Sequence, residues 1–423
     1  MGRRRRVGRG LALAGLALVA VATLTPASDP RHLELSTPLW CLVCGDEGGA
    51  DVAANLLLFL PLAIGLRLSG WSWRRTVATA AAISFTVELL QLTVIPGRDA
   101  SLSDVLTNTS SAAIGAALAP FLPRALWPTP PGARVLLAGG AVAWLAALSI
   151  SAWLLAPGLP AGRITSRWAH EVRAPDAFDG RVRSVYLDGA PMPRRGPPPG
   201  WAALRRRLEG GTFSLDAEVL SGDPVGNRSF MYQLGAGPRG ALTLYQDGRE
   251  AGLVVPARGL RFGLRPVALT LPDGMPPAAG IPVQLQATVR GRQLRLASSY
   301  GGVERSIELG VSPAMGWVLL TPFNPPAGTT LRWVTAMCLA GSLLPLGYWA
   351  SRTGRGVAAV GLLAAAFAAG LAVLPALGGF PPVHWSEWLA GGAAAGVGWA
   401  LGPVAAYLER RCVSPSDSES SSS

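Results

Sequence analysis

The chain has no lysine: all 37 basic side chains among its 423 residues are arginine. Histidine is nearly missing too, with only His32, His170 and His384, far apart. Four cysteines include one close pair, Cys41 and Cys44. Charged residues make up 15% of the chain, against 50% hydrophobic. Each shortage excludes something. Three scattered histidines and one cysteine pair do not make a metal-ligand set of recognisable spacing. No nucleophile stands beside a base as covalent catalysis requires. So little charge on so apolar a chain excludes an ordinary soluble protein. The missing lysine reads as coding bias, not chemistry. The formal charge of +12 would suit a nucleic-acid partner. That partner is excluded by where the arginines fall, which is the pattern of a membrane protein.

Long apolar runs are what the chain has instead. A spanning helix needs roughly 20 such residues. Eight segments qualify as expected spans: about 10–26, 51–69, 76–96, 104–122, 134–157, 330–350, 357–377 and 386–406. Arginines occupy every second connection. Arg3 to Arg6 and Arg9 precede the first span, and Arg67, Arg74 and Arg75 lie between the second and third. Arg124 and Arg134, then Arg352 and Arg355, then Arg410 and Arg411 continue the alternation. The positive-inside rule places both termini in the cytoplasm. The acidic connections, with Asp46, Glu47, Asp51, Asp99, Asp104 and Glu387, then fall outside. The first span also has the basic start of a signal peptide, with Thr25-Pro26-Ala27 as a poor cleavage site. A retained anchor is the preferred reading, and cleavage would not alter the remaining topology.

Residues 165–325 hold no span. Short alternating runs such as "RSVYLDG", "TFSLDAEVL" and "IPVQLQATVRG", bounded by turn residues, predict an all-β sandwich. Within it, 190–210 is Pro/Arg-rich and reads as a loop and a short basic helix, solvated or touching anionic headgroups or wall polymers. The expected organisation is a membrane unit at 1–125, a fifth helix at 126–160, an extracytoplasmic sandwich at 161–328, three helices at 329–408 and a disordered cytoplasmic tail at 409–423.

One polar constellation interrupts the apolar pattern. The second and fourth spans both open with Asp-Val-x-x-Asn, giving Asp51 with Asn55 and Asp104 with Asn108. The i,i+4 spacing puts each pair on one helical face. Either Asp suits a helix N-terminus, where it caps free amides; Asn55 and Asn108, a turn deeper, are not explained by capping. The antiparallel third span carries Glu88 and Gln91 on one face. At 1.5 Å per residue, Glu88 lies about 12 Å and the two asparagines about 6 Å below the outer helix ends. Arg98, in the short loop, can fold over the group as a bidentate partner for a carboxylate or phosphate. The cluster reads as a packing network, as a ligand or lipid-headgroup site, or as a catalytic site. In the last case Glu88 is the acid/base, Arg98 stabilises charge, and Asp104 completes the candidate set. Cys41 and Cys44 lie in an outer loop and can close a small disulfide or stay as free thiols; they can also contribute to a metal site, though no second pair is evident.

"NLLLFLPLAIG", "VELLQ" and "GRDASLSDVLTNTSSAAIG" together resemble the VanZ-like membrane family. The residues that carry this are Asn55, Phe59, Pro61, Glu88, Gln91, Arg98, Asp104, Asn108 and Gly115. Ala63 and Ser111 stand where the family pattern has glycine. The likeness covers about 10–122 and implies a multi-pass bacterial membrane protein linked to glycopeptide-antibiotic (teicoplanin) resistance. "FDGRVRSVYLDG" and "MYQLGAGPRGALTLYQDGREAGLVV" resemble the concanavalin/laminin-G jelly rolls. That likeness implies a glycan-binding face, with Trp168, Trp201, Tyr232, Tyr245 and Tyr300 to stack on sugars. It also implies that Asp216, Asp223 and Asn227 hold calcium; the alternative is core aromatics and turn-shaping acids. The last three spans repeat the order of the second to fourth, and Glu387 falls near the Asp104 position, as a degenerate second copy would have it.

The expectation is therefore a protein of the bacterial inner or plasma membrane. It binds a glycan, glycopeptide or protein partner through its external sandwich, with no cofactor evident beyond calcium. The alternative is an enzyme acting on a lipid-linked envelope precursor at Glu88, Arg98 and Asp104. Transport is a third reading, with no solute named by the sequence.

Overall fold

The computed structural model describes residues 2–25, 47–95, 100–169, 178–225, 228–236, 240–321 and 328–413. They form two compact units, one made of the described residues within 2–120, 154–311 and 316–321, the other of those within 121–153, 312–315 and 328–413.

The first unit opens with helices α1 (Gly2–Leu24), α2 (Gly48–Leu58), α3 (Leu60–Leu68), α4 (Trp73–Thr93) and α5 (Leu102–Leu118). Local sequence sets their ends. Ser72 caps α4 by accepting from the Arg75 amide at 3.3 Å, and Ser101 caps α5 by accepting from Ser103 at 3.1 Å. The cap of α5 is thus Ser101, not Asp104, which sits inside the first turn. Asp51 likewise lies within the first turn of α2, whose N-cap is Glu47. Pro61 breaks the second span at Phe59 into α2 and α3. Backbone contact closes α1 on α3: a methyl group added to Gly65 would sit 2.3 Å from the Ala12 nitrogen, and one on Gly15 2.5 Å from that of Leu62. Val19, Phe59, Leu62, Ala63, Ala80 and Ala112 form the core between these helices.

Of the eight expected spans, seven form described helices long and apolar enough to cross a membrane: Arg5–Leu24, Gly48–Leu68, Trp73–Thr93, Pro130–Leu155, Thr329–Ser351, Gly356–Leu377 and Trp385–Tyr407. The exception is α5. Its 17 residues make about 25 Å of helix at 1.5 Å per residue, short of a hydrocarbon core of about 30 Å. Pro120 stops it, and a turn leads into α6 (Leu122–Leu126).

The same unit contains two antiparallel sheets of six strands. The first runs β4 (Arg195–Gly196), β1 (Ile164–Trp168), β6 (Ser229–Ala236), β7 (Leu242–Asp247), β8 (Glu250–Val255), β9 (Val267–Leu271). The second runs β12 (Val303–Gly310), β11 (Gln293–Tyr300), β10 (Pro282–Arg290), β5 (Thr212–Leu220), β2 (Arg181–Leu187), β3 (Ala190–Pro191). Period-two burial on β5 and β10 turns Phe213, Leu215, Val219, Val283, Leu285 and Val289 inward and leaves polar neighbours outside. Asp188 and Gly189 both take positive φ, 50° and 75°, so "LDGA" makes the two-residue turn between β2 and β3. The basic segment forms α8 (Trp201–Gly210).

In the second unit, α7 (Pro130–Leu155), α9 (Thr329–Ser351), α10 (Gly356–Ala368), a π turn at Ala369–Val373, α11 (Leu374–Leu377) and α12 (Trp385–Val413) pack around Leu137, Trp144, Leu339, Leu343 and Leu346. Small residues bring α9 and α12 into backbone contact: a methyl on Gly347 would lie 2.0 Å from the Ala395 oxygen.

Candidate functional site

The polar residues of α2, α4 and α5 meet as pairs. Asn55 Nδ2 donates to Asp104 Oδ1 at 2.9 Å, joining α2 to α5. Asn108 Nδ2 donates to Ser84 Oγ at 3.0 Å, joining α5 to α4. Glu88 Oε2 accepts from the Ser101 backbone N–H at 2.7 Å, which ties α4 to the start of α5. Gln91 turns elsewhere, its Nε2 donating to the Thr23 carbonyl of α1 at 2.9 Å. Arg98 lies outside the described residues, as do Cys41 and Cys44.

Heptad-like spacing explains the seam. Ser84, Glu88 and Gln91 share one face of α4, and Asp104, Asn108, Ser111 and Gly115 share one face of α5. Glu88, Gln91, Asn108, Ser84 and Ser111 are all buried. Two buried oxygens in this seam, Asn108 Oδ1 and Ser111 Oγ, have no hydrogen-bond partner among the described residues. Unsatisfied groups of this kind ask for a water or a ligand atom. Sequence reasoning identified the asparagines and the glutamate but missed Ser84 and Ser111, since small hydroxyls in a span carry no signal of their own.

The sandwich grips the start of α2. The Ala50 N–H donates to the Gly263 carbonyl at 3.0 Å. Gly49 lies so close to the 3-10 turn Arg258–Phe262 that an added methyl would stand 1.9 Å from the Phe262 oxygen. Arg265 donates through Nη1 to Glu47 and through Nη2 to Asp51 Oδ1, the latter at 3.1 Å. Asp51 is therefore spent on the sandwich while its partner one turn deeper, Asn55, bonds Asp104. No spacing rule in the sequence pointed to Arg265.

On the sandwich, three of the aromatic residues proposed for stacking are core: Trp168, Tyr232 and Tyr245 are buried. Burial pushes the Tyr245 hydroxyl up from its ordinary value, opposed by Arg228, whose guanidinium lies 4.5 Å from the ring centre. Trp201 and Tyr300 are half-buried. Tyr186 is exposed, 42% accessible, and paired in register with Asp216. Beside it, the outward face of the second sheet holds an open groove of about 400 Å³ lined by Ser184, Asp216, Glu218, Gln284, Gln286 and Glu304, among others. Alternation in "RSVYLDG" already turns Tyr186 outward, a signal the sequence reading did not use. Asp216 accepts from Gln286 at 3.0 Å and Asp223 from the Val225 amide at 2.9 Å. Asn227, the third residue of the calcium expectation, lies outside the described residues. Among the described residues no three His, Cys, Asp or Glu side chains gather as a metal site.

In the second unit, Glu387 in the first turn of α12 is buried, and Ser312 Oγ lies 3.0 Å and 3.2 Å from its two oxygens.

Residues 15–123 match the VanZ/LLP1 family model. No curated protein and no solved structure matches the chain significantly. The matched stretch runs from the middle of α1 into α6 and contains Asn55, Glu88, Asp104 and Asn108, so this part of the chain is a VanZ-like domain of apolar helices, and the sandwich and the remaining helices lie beyond it.

Proposed function

We propose that this chain is a VanZ-like protein of the bacterial cell envelope that binds a hydroxyl-rich ligand, a glycan or glycopeptide, outside the cytoplasm. The outward face of the second sheet is the binding surface. The groove on that face supports this reading. Its carboxylates and amides match the alternating donors and acceptors of sugar hydroxyls, and Tyr186 offers an exposed ring at its edge. The reading includes a concanavalin/laminin-G-like sandwich and a link to glycopeptide-antibiotic resistance. The test is binding of the full chain in lipid nanodiscs to bacterial glycans and peptidoglycan fragments. Saturable binding that weakens at least tenfold in Tyr186→Ala and in Gln286→Ala, with unfolding unchanged, is the expected result. Binding indifferent to both substitutions would remove the groove from the reading.

A second reading has one observation in its favour. The unpartnered Asn108 and Ser111 oxygens lie on the same α5 face as Asp104, beside buried Glu88. A polar headgroup entering the seam would satisfy them, and Glu88 would then act as acid/base on a lipid-linked envelope precursor, with Arg98 and Asp104 shaping the charge. Glu88→Gln that folds normally yet abolishes turnover of such a precursor supports this; unchanged turnover ends it.

A further inference from the structure

A second open groove, of about 430 Å³, lies on the sandwich away from the face discussed above, lined by Pro160, Ala161, Arg205, Leu260 and Arg261. Its position follows from two membrane helices. The 3-10 turn Arg258–Phe262 is bonded at its first residue to the end of α7, the Arg258 N–H donating to the Ala156 carbonyl at 2.9 Å. Just past its last residue, the Gly263 carbonyl accepts from Ala50 in the first turn of α2 at 3.0 Å. Both helices are long and apolar enough to cross a membrane, and these are their terminal turns. A five-residue element tied to the ends of two candidate spans sits where spanning by those helices would put the bilayer surface.

Its chemistry suits that depth. Phe262 is 53% exposed, a large apolar side chain with nothing to gain from water. Arg205 is held rigid by the carbonyls of Leu159, Pro160 and Gly162, at 3.2, 2.7 and 2.8 Å. Arg261 donates from Nε to the same Leu159 carbonyl at 2.8 Å and from Nη2 to Glu209 at 3.4 Å, leaving Nη1 without a partner among the described residues. Arg163, next along the strap, is exposed. Arg205 Nε also donates to Glu209, at 3.2 Å, so two arginines share one carboxylate, and Arg163 adds an exposed positive charge beside Gly162. A planar guanidinium with free N–H groups is the side chain that fits phosphate oxygens, and each basic residue near an anionic leaflet adds about 1 kcal/mol of attraction.

We propose that this groove binds the phosphate of an anionic phospholipid of the membrane in which the helices sit, with Arg261 as the contacting residue, Arg205 as its fixed base and Phe262 inserted among the acyl chains. The site is independent of the glycan reading and of which side of the membrane the sandwich occupies.

The experiment is native mass spectrometry of the full-length protein with phosphatidylglycerol, phosphatidylcholine and inorganic phosphate, backed by binding to nanodiscs of the two lipids. Phosphatidylglycerol should bind in preference to phosphatidylcholine. Arg261→Gln should lose about fivefold in that preference, the effect of one interfacial arginine, with Arg261→Lys in between. Equal binding of the two lipids overturns the proposal, even before any variant is made. So does an unchanged preference in a folded Arg261→Gln. Binding of inorganic phosphate at the same site with no lipid preference would mark a free-anion site and overturn the lipid assignment. Phe262→Ser should weaken phosphatidylglycerol binding without altering its preference over phosphatidylcholine; no weakening removes the insertion.

Discussion

Single side chains decide two predictions. The Asn55–Asp104 bond at 2.9 Å links α2 to α5 inside the VanZ-like domain. Interhelical hydrogen bonds in membrane proteins contribute about 0.6 kcal/mol on average and up to about 1.7. A double-mutant cycle of Asn55→Ala and Asp104→Ala, read by unfolding in detergent, should give a coupling in that range. A coupling of zero would leave the pair without an energetic role. The second case is Glu250, paired across the β7–β8 hairpin with Asp247. Burial first, and then Asp247, push its carboxyl above the ordinary value of 4.5, with Arg228 pulling back. The folded state therefore holds the proton more tightly than the unfolded one. Its contribution is fully favourable below pH 4.5 and is lost as pH rises through the higher folded value. Glu250→Gln should raise the Tm at neutral pH and leave it nearly unchanged near pH 4; a constant difference across that window would contradict the sign. Legibility at this scale was uneven. Charged and amide residues inside apolar runs stand out by their cost, so Asn55, Glu88, Asp104 and Asn108 were readable. Ser84, Ser111 and Arg265 were not, because a small hydroxyl costs little in a span and an arginine in a strand-rich segment is ordinary until its partners are known.

Elements were more legible than their ends. Apolar runs and arginine-bearing connections gave the helices, and period two gave the strands, because both follow from what a bilayer or a half-buried sheet demands of each position. The end of α5 was misjudged: apolar residues continue to position 122, but the helix stops at Leu118, ahead of Pro120. Capping was misjudged for a related reason: Asp104 has the right chemistry, but Ser101 comes first in the chain and takes the position. Close packing between α1 and α3 depends on glycine, and that can be tested. Gly65 has no room for a Cβ because the backbone of Ala12 is 2.3 Å away. Gly65→Leu must therefore push α1 off α3, and overpacking of this kind typically costs about 1–3 kcal/mol or more. The expected outcome is a lower Tm and exposure of α1 to limited proteolysis. The exposed Gly10, with open space around it, is the control: Gly10→Leu should change neither.

At the scale of the molecule, a β-sandwich is fixed to a VanZ-like domain by a few contacts at the start of α2. Arg265 carries the ionic part of that link. Its side chain is 15% accessible, against 39% for Glu47 and 56% for Asp51, so solvent screens the carboxylates more than the guanidinium. Arg265→Met should cost about 1.5–3 kcal/mol, the range for hydrogen bonds to charged groups, and should free the sandwich to faster proteolysis at unchanged sandwich stability. The same junction bears on topology. Ala50 in the first turn of α2 bonds Gly263, and Ala156, just past α7, bonds Arg258, which predicts that these two helix ends share one side of the membrane. Alternating spans require this: if α2 leaves that side, α4 returns to it, α5 leaves again, and α7 returns to deliver the chain to the sandwich. The short α5 must then count as a full crossing, since a count without it would bring α7 out on the opposite side. The alternation and the junction therefore agree only if α5 spans, and the arginine rule predicts the sandwich side to be the outer one. Alkaline-phosphatase fusions at Gly189 and at Val413 test this directly. Activity at Gly189 and none at Val413 is expected. Activity at both would mean that one of the last three spans does not cross; activity at Val413 alone would mean that α5 does not cross or that the arginine rule is overridden. The glycan reading, which needs the sandwich outside, would fall in the second case and survive in the first.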